Sequence, residues 1–453
     1  MDLATETYGM GVKQPMSGRR GSAPNALAIK ILILYMFLEY VRPLFIVDLK
    51  IQMVILIVIP VFWLMARDRP WSGILTAQTL FFLLCCVDVP ISSNNYWAYY
   101  TARTMYGYLA IALGLSWLLA ERAAFRRVTW AWVLIMGYLA IYGILHNGRG
   151  PGSIIGDEND LALACATAFP LAFFGFERFS GWRRWLSGAI AGLLVVAVVV
   201  SFSRGGFLGL AAAALYCLVA SRRWFRTALI LTLAATLLVT LAPTEGRKGH
   251  SYIDDIKSIF TDTNQGTAKG RRFLWTAAIN MWKAYPIIGV GGGNFPFRAG
   301  EYQPTNSPDF VEPEYNERVW SGTATHSAYF QILAEHGTVG ILLFGYLIWA
   351  HFRRLRRLRR DVRSKDGIPP DLRRDAEMYA AGLAGGVAAF CVAGAFLSVA
   401  YYPYLWHFSA MAVALDVAVR RELGAADNGA IPESPKPSRL ATGPDPRSGP
   451  STW

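Results

Sequence analysis

Residues 185–221 read WLSGAIAGLLVVAVVVSFSRGGFLGLAAAALYCLVAS, and between Arg184 and Arg222 the only charged residue is Arg204. As one helix this stretch would reach about 55 Å at 1.5 Å per residue, well beyond the roughly 30 Å of a bilayer's hydrocarbon. It must therefore fold back as a hairpin of two crossings. The reversal is expected at Ser203-Arg204-Gly205-Gly206, where the glycines permit a turn. Arg204 then stands at the tip.

The rest of the chain extends this pattern. Over 453 residues, 54% are hydrophobic and 17% charged, where a soluble domain carries about a quarter charged. The apolar residues cluster into long runs, which imply an all-α, polytopic membrane protein of about 12 transmembrane helices. The expected crossings are 26–43, 48–66, 73–89, 104–120, 128–145, 159–176, 185–203, 206–220, 226–242, 327–352, 377–397 and 402–419. The links test the count independently. Those at 43–48, 89–103, 145–158 and 397–402 hold few basic residues, whereas the alternate links carry many, and 353–376 carries ten. Positive charge stays on the cytoplasmic side. Both termini, 1–25 and 421–453, are thus expected to be cytoplasmic tails, the second of them disordered. Crossings 1–9 occupy 26–242, a periplasmic loop 243–325, and crossings 10–12 residues 326–420. The expected location is a bacterial inner membrane.

The net charge of +13 is topogenic on this reading, which argues against a nucleic-acid partner. The basic segment 353–376 is also suited to membrane lipids with anionic headgroups. Cys85, Cys86, Cys165, Cys217 and Cys391 all fall in apolar segments without paired spacing. They read as small buried hydrophobes, with no disulfide framework and no metal site.

The loop 243–325 holds nine basic and nine acidic residues, and loops of this length are usually functional or disordered. Arg271–Tyr285 (RRFLWTAAINMWKAY) sets Leu274, Ala278, Met281, Trp282 and Tyr285 on one helical face. Pro286 ends that helix and Gly289–Gly293 turns the chain.

Three features of this face carry chemistry. Arg204 reads either as a snorkelling interfacial arginine or as a guanidinium fork for phosphate. Arg271 and Arg272 open the amphipathic helix, where the dipole disfavours cations. Either they are ordinary solvated charge or they bind an anion together with the free N–H groups of the first turn. His326 opens the tenth crossing in THSAYFQILAEHGTVGILLF. From His326 to Phe352 a continuous helix would span about 40 Å, so its first turns should project beyond the hydrocarbon. An imidazole placed there is a structural residue or a proton acceptor. His336, farther along that helix, reads as inert.

The strings SRGGFLGL, GRRFLWTAAINMWKAYPIIGVGGGNF and THSAYFQILAEHGTVG, in that order around a long loop, resemble the O-antigen ligase and polymerase superfamily. GDENDLALA at 156–164 resembles its Asn-containing stretch, with Asn159 as the matching residue. FLEYVRP (37–43) and YYPYLW (401–406) resemble an exosortase-associated subgroup. The resemblance implies a glycosyltransferase that moves a glycan from undecaprenyl diphosphate to an acceptor hydroxyl, without cofactor or metal. The acceptor would be a glycan, lipid A core or a protein. Arg204 and Arg271, or Arg272 in place of the latter, would bind the diphosphate. His326 would be the catalytic base. The alternatives are a polymerase of the same superfamily and a non-catalytic transporter of polysaccharide or lipid.

Overall fold

The computed structural model describes residues 26–41, 51–66, 69–152, 155–221, 223–229, 232 and 266–427. Among these, regular structure is helical, apart from a single bridge between Gly152 and Ile155. The ninth expected crossing falls almost wholly outside the described residues, as do loop residues 243–265 and most of both tails.

In chain order the helices are α1 (Ala26–Tyr40), α2 (Ile51–Met65), α3 (Gly73–Ile91), α4 (Asn95–Leu118), α5 (Arg122–Leu145), α6 (Glu158–Arg178) and α7 (Gly181–Val200). They continue with α8 (Arg204–Ala220), α9 (Gly266–Ala284), α10 (Phe295–Tyr302), α11 (Pro313–Asn316), α12 (Ala328–Ser364), α13 (Pro370–Gly394) and α14 (Pro403–Asp427). Six of them, α3, α5, α6, α7, α12 and α13, are long and apolar enough to cross a membrane, and α2 and α8 are shorter apolar helices. The chain is a polytopic membrane protein.

Helices α6 and α13 form the centre. In each, 83% of the apolar window is buried, against 39–56% in the other four long spans. Their runs of Ala and Gly let the backbones approach closely, the usual basis of helix association where apolar surface alone gives no driving force. Helix α8 joins the pair, with Gly206 at the contact: a Cβ there would lie 2.2 Å from the Cβ of Ala162.

This corrects the expected role of the glycines after Arg204. The reversal occurs one step earlier, at Ser201–Ser203, where Phe202 adopts φ 54°. Gly205 and Gly206 are buried inside α8 and serve packing rather than turning.

Two other boundaries differ from expectation. Helix α12 continues through the arginine-rich segment to Ser364, because Leu355, Leu358 and Val362 keep one apolar face buried. Helix α14 runs to Asp427, into the expected tail, and Glu422 there meets Arg122 at 3.0 Å.

The basic links gather at one end of the bundle as ion pairs. Arg122 meets Asp371 at 2.7 Å, Arg354 meets Asp416 at 2.8 Å, and Arg178 and Arg363 share Glu377 at 3.2 and 3.1 Å. At the opposite end lie the α7–α8 turn, the segment after α13, and helices α9–α11.

Candidate functional site

The amphipathic helix α9 packs on α12. Its buried face is Phe273, Leu274, Ala277, Ala278 and Met281. Trp282 is half-buried and Tyr285 exposed, so the expected face is rotated by part of a turn. The helix begins at Gly266, which puts Arg271 and Arg272 beyond its first turn. Free first-turn N–H groups therefore do not serve these arginines, contrary to expectation.

The two arginines also part company. Arg272 is exposed, whereas Arg271 is half-buried. Burial lowers the pKa of Arg271, and the positive charge of Arg204 lowers it further. Two guanidiniums are thus held within electrostatic reach, and Arg271 meets no carboxylate among the described residues.

Ser203 positions Arg204. Its hydroxyl caps α8 by accepting from Gly206 N–H at 3.1 Å, and donates to Asn159 Oδ1 at 2.7 Å. Asn159 sits in the first turn of α6, which Asp157 and Asp160 close as a reciprocal capping box. Asp160 in turn accepts from Tyr402 at 2.6 Å.

His326 does not open a helix. It precedes α12 with φ 51°, a left-handed conformation uncommon for a non-glycine residue. Neighbours on two sides hold it there. Its N–H donates to Ser398 Oγ at 2.8 Å, and Ser398 also meets Thr325 Oγ1 at 3.1 Å. From the other side Trp275 of α9 donates to Thr325 O at 3.0 Å and stacks on Phe330, ring centres 5.0 Å apart. The residue stays open to solvent on one side. Partial desolvation lowers its pKa, the Arg271 charge lowers it further, and Asp157 opposes both. The net shift favours the neutral imidazole. The charge of Arg204 is thus felt at Arg271, and those of Arg271 and Asp157 at His326, whereas Arg272 has no such influence on His326.

Past His326, α12 is broken rather than continuous. Gly337 has φ 60° and ψ −155°, a conformation reserved for glycine. The turn after α9 fills the break: Val290 N–H donates to Ala334 O at 3.0 Å, and Gly291 N–H to Glu335 O at 2.8 Å. Thr338 N–H and Val339 N–H donate to Pro286 O and Ile287 O, at 2.8 and 3.1 Å. The Glu335 carboxylate accepts from Gly293 N–H and Phe295 N–H at 3.0 and 3.1 Å, and from Tyr401.

His336, expected to be inert, is fully buried in this network. Its Nδ1 meets Asp88 at 2.7 Å and its Nε2 meets Tyr401 at 2.8 Å. Cys85 Sγ lies 3.9 Å from Nε2, so Cys85 is more than a small hydrophobe, and Cys86 is exposed. Ligand atoms of Cys85, Asp88 and His336 lie within 4.8 Å of one another. This is a buried cluster of potential metal ligands, which the reading of the cysteines as small hydrophobes did not anticipate. Sequence reasoning passed over Glu335, His336 and Asp88, although ionisable residues inside apolar segments were the available signal.

The fold is thus a helical membrane bundle whose one end carries Arg204, Arg271 and an exposed His326. Residues 189–345, which carry Arg204, Arg271 and His326, match the family model described as O-antigen ligase. The match supports membership of the chain in the O-antigen ligase superfamily, a group of glycosyltransferase-like ligases and polymerases of the polysaccharide pathway. No curated protein matches the chain.

Proposed function

We propose that the protein transfers a saccharide from undecaprenyl diphosphate to an acceptor hydroxyl at the periplasmic face of the inner membrane. One juxtaposition carries this reading: Trp275 of α9 donates to Thr325 O at 3.0 Å, which brings the turn of α9 that holds Arg271 up to His326, and the charge of Arg204 reaches Arg271. Guanidinium forks match phosphate oxygens in pairs. The orientation follows from the arginine-rich opposite end, which is cytoplasmic by the charge rule.

In this reading Arg204 and Arg271 bind the lipid diphosphate. The acceptor oxygen attacks the anomeric carbon as the bond from that carbon to the diphosphate oxygen breaks. The bonding electrons leave on the diphosphate, whose growing negative charge the guanidiniums stabilise. His326 takes the acceptor's proton. A single displacement inverts the anomeric centre, and the reading invokes no metal or other cofactor. Ligase and polymerase share this donor chemistry and differ in acceptor. A transporter would need ionisable groups lining a path, whereas Asp88, Glu335 and His336 are buried against one another and against the α9–α10 turn.

The test is purified protein in lipid, given an undecaprenyl-diphosphate glycan and an acceptor. Inverted product and released undecaprenyl diphosphate are expected. Retained configuration, or translocation of intact donor without bond cleavage, would contradict the proposal.

A further inference from the structure

The cytoplasmic half of α12 has two unlike faces. Arg354 and Arg363 turn inward to Asp416 and Glu377, and Arg359 donates to Ala220 O at 3.2 Å. Arg353, Arg356, Arg357 and Arg360 turn outward and are exposed. Apart from a 3.8 Å approach of Arg360 to Asp361, these four meet no carboxylate among the described residues. With Trp349 and Phe352 they line a recess of about 540 Å³, in which Arg353 lies 4.6 Å from the Trp349 ring centre.

The same face continues into the bilayer. Val339, Leu342, Tyr346 and Trp349 follow one another at helical spacing, and all are exposed. The order along the stripe is aliphatic, aromatic, cationic. That order matches the acyl chains, the interface and the headgroup of a phospholipid. A soluble anion would satisfy the charge but leave the apolar stripe unused.

We propose that this face of α12 is a binding site for an anionic phospholipid of the inner leaflet. Its phosphate lies among Arg353, Arg356, Arg357 and Arg360, and an acyl chain runs along Leu342, Tyr346 and Trp349. The inward arginines hold the bundle together, and the outward ones hold the lipid. The inference depends on which end faces the cytoplasm but on neither donor nor transfer, so it stands or falls separately from the catalytic reading.

The test uses the full chain in phosphatidylcholine nanodiscs containing a small fraction of phosphatidylglycerol, with bound lipid counted by native mass spectrometry. Phosphatidylglycerol should be retained preferentially. Each arginine removed should weaken retention about fivefold, so R356Q/R357Q should weaken it roughly 25-fold. Arg127→Gln, an exposed arginine on α5 at the same end, should change nothing. If the double variant misfolds, Arg353→Gln and Arg360→Gln singly carry the same test. Unchanged retention in the variants, or equal loss in Arg127→Gln, would overturn the site. Displacement of the lipid by millimolar inorganic phosphate would also overturn it, by pointing to a soluble anion.

Discussion

The two ends of this bundle use the same side chain in opposite ways. At the arginine-rich end, inward arginines meet carboxylates: Arg122 with Asp371, Arg178 and Arg363 with Glu377, Arg354 with Asp416. At the other end Arg271 faces another guanidinium, Arg204, and a histidine. A carboxylate supplied by the protein makes a strut. A cation without one, partly desolvated beside a second cation, makes a socket. On the proposed reading, what separates a structural from a substrate-binding arginine here is the partner, and neither abundance nor burial separates them.

The largest expected effect falls on the socket. His326→Ala should lower transfer by on the order of 10²–10⁴ while lipid-linked donor still binds. Normal turnover in this variant would remove the proton-acceptor assignment; lost binding with normal turnover per bound donor would make His326 a ligand instead. The struts should respond in the opposite sense. Glu377 is 1% exposed and accepts from two arginines, so Glu377→Gln should cost about 3 kcal/mol of stability. Transfer per folded molecule should be unchanged, as checked by thermal unfolding beside a turnover assay.

A packing change between the two classes should be smaller. A Cβ at Gly206 would sit 2.2 Å from that of Ala162. Gly206→Ala should therefore cost about 1–3 kcal/mol through overpacking and shift Arg204 with the helix it begins.

The smallest effect is on the pH profile, and it has a sign. The His326 pKa is lowered in the folded protein, so the neutral base survives to below the ordinary value of about 6.5. The acid limb of kcat/KM, which reports the free enzyme, should fall there as pH decreases. Folding stability linked to this group is likewise present above about 6.5 and lost as pH falls. Arg271→Gln removes a charge that lowers the pKa and should move the limb to higher pH. Asp157→Asn removes one that raises it and should move the limb lower, while Asn still caps α6. Shifts of the same sign in both variants would break the electrostatic account.

The sequence revealed the helical membrane class, because long apolar runs are one-dimensional signals, and it offered Arg271, Arg272 and His326 as site candidates. It also marked Arg204, since a lone charge in residues 185–221 stands out. What it concealed depended on contacts distant in sequence. The break at Gly337 exists because residues 286–291 supply backbone partners to Ala334, Glu335, Thr338 and Val339. No local rule announces it, so His336 looked like an idle helical residue. The glycines after Arg204 suggested a turn, yet Leu397 crowds Gly205 and Ala162 of α6 crowds Gly206, so both serve packing. The choice between Arg271 and Arg272 depended on how α9 rotates against α12. The buried face, Phe273, Leu274, Ala277, Ala278 and Met281, differs from the expected one by part of a turn.

The contrast between strut and socket is tested most directly by donor affinity. Equilibrium binding of undecaprenyl-diphosphate glycan should be measured for the wild type, Arg271→Gln and Arg272→Gln in identical lipid. Loss of a charge-assisted pair of hydrogen bonds should weaken binding of Arg271→Gln by roughly 10- to 100-fold. Arg272→Gln, which alters an exposed side chain, should stay within about twofold, as surface changes usually do. Equal affinity in wild type and Arg271→Gln would contradict the account, because the paired guanidiniums would then have no anion to hold.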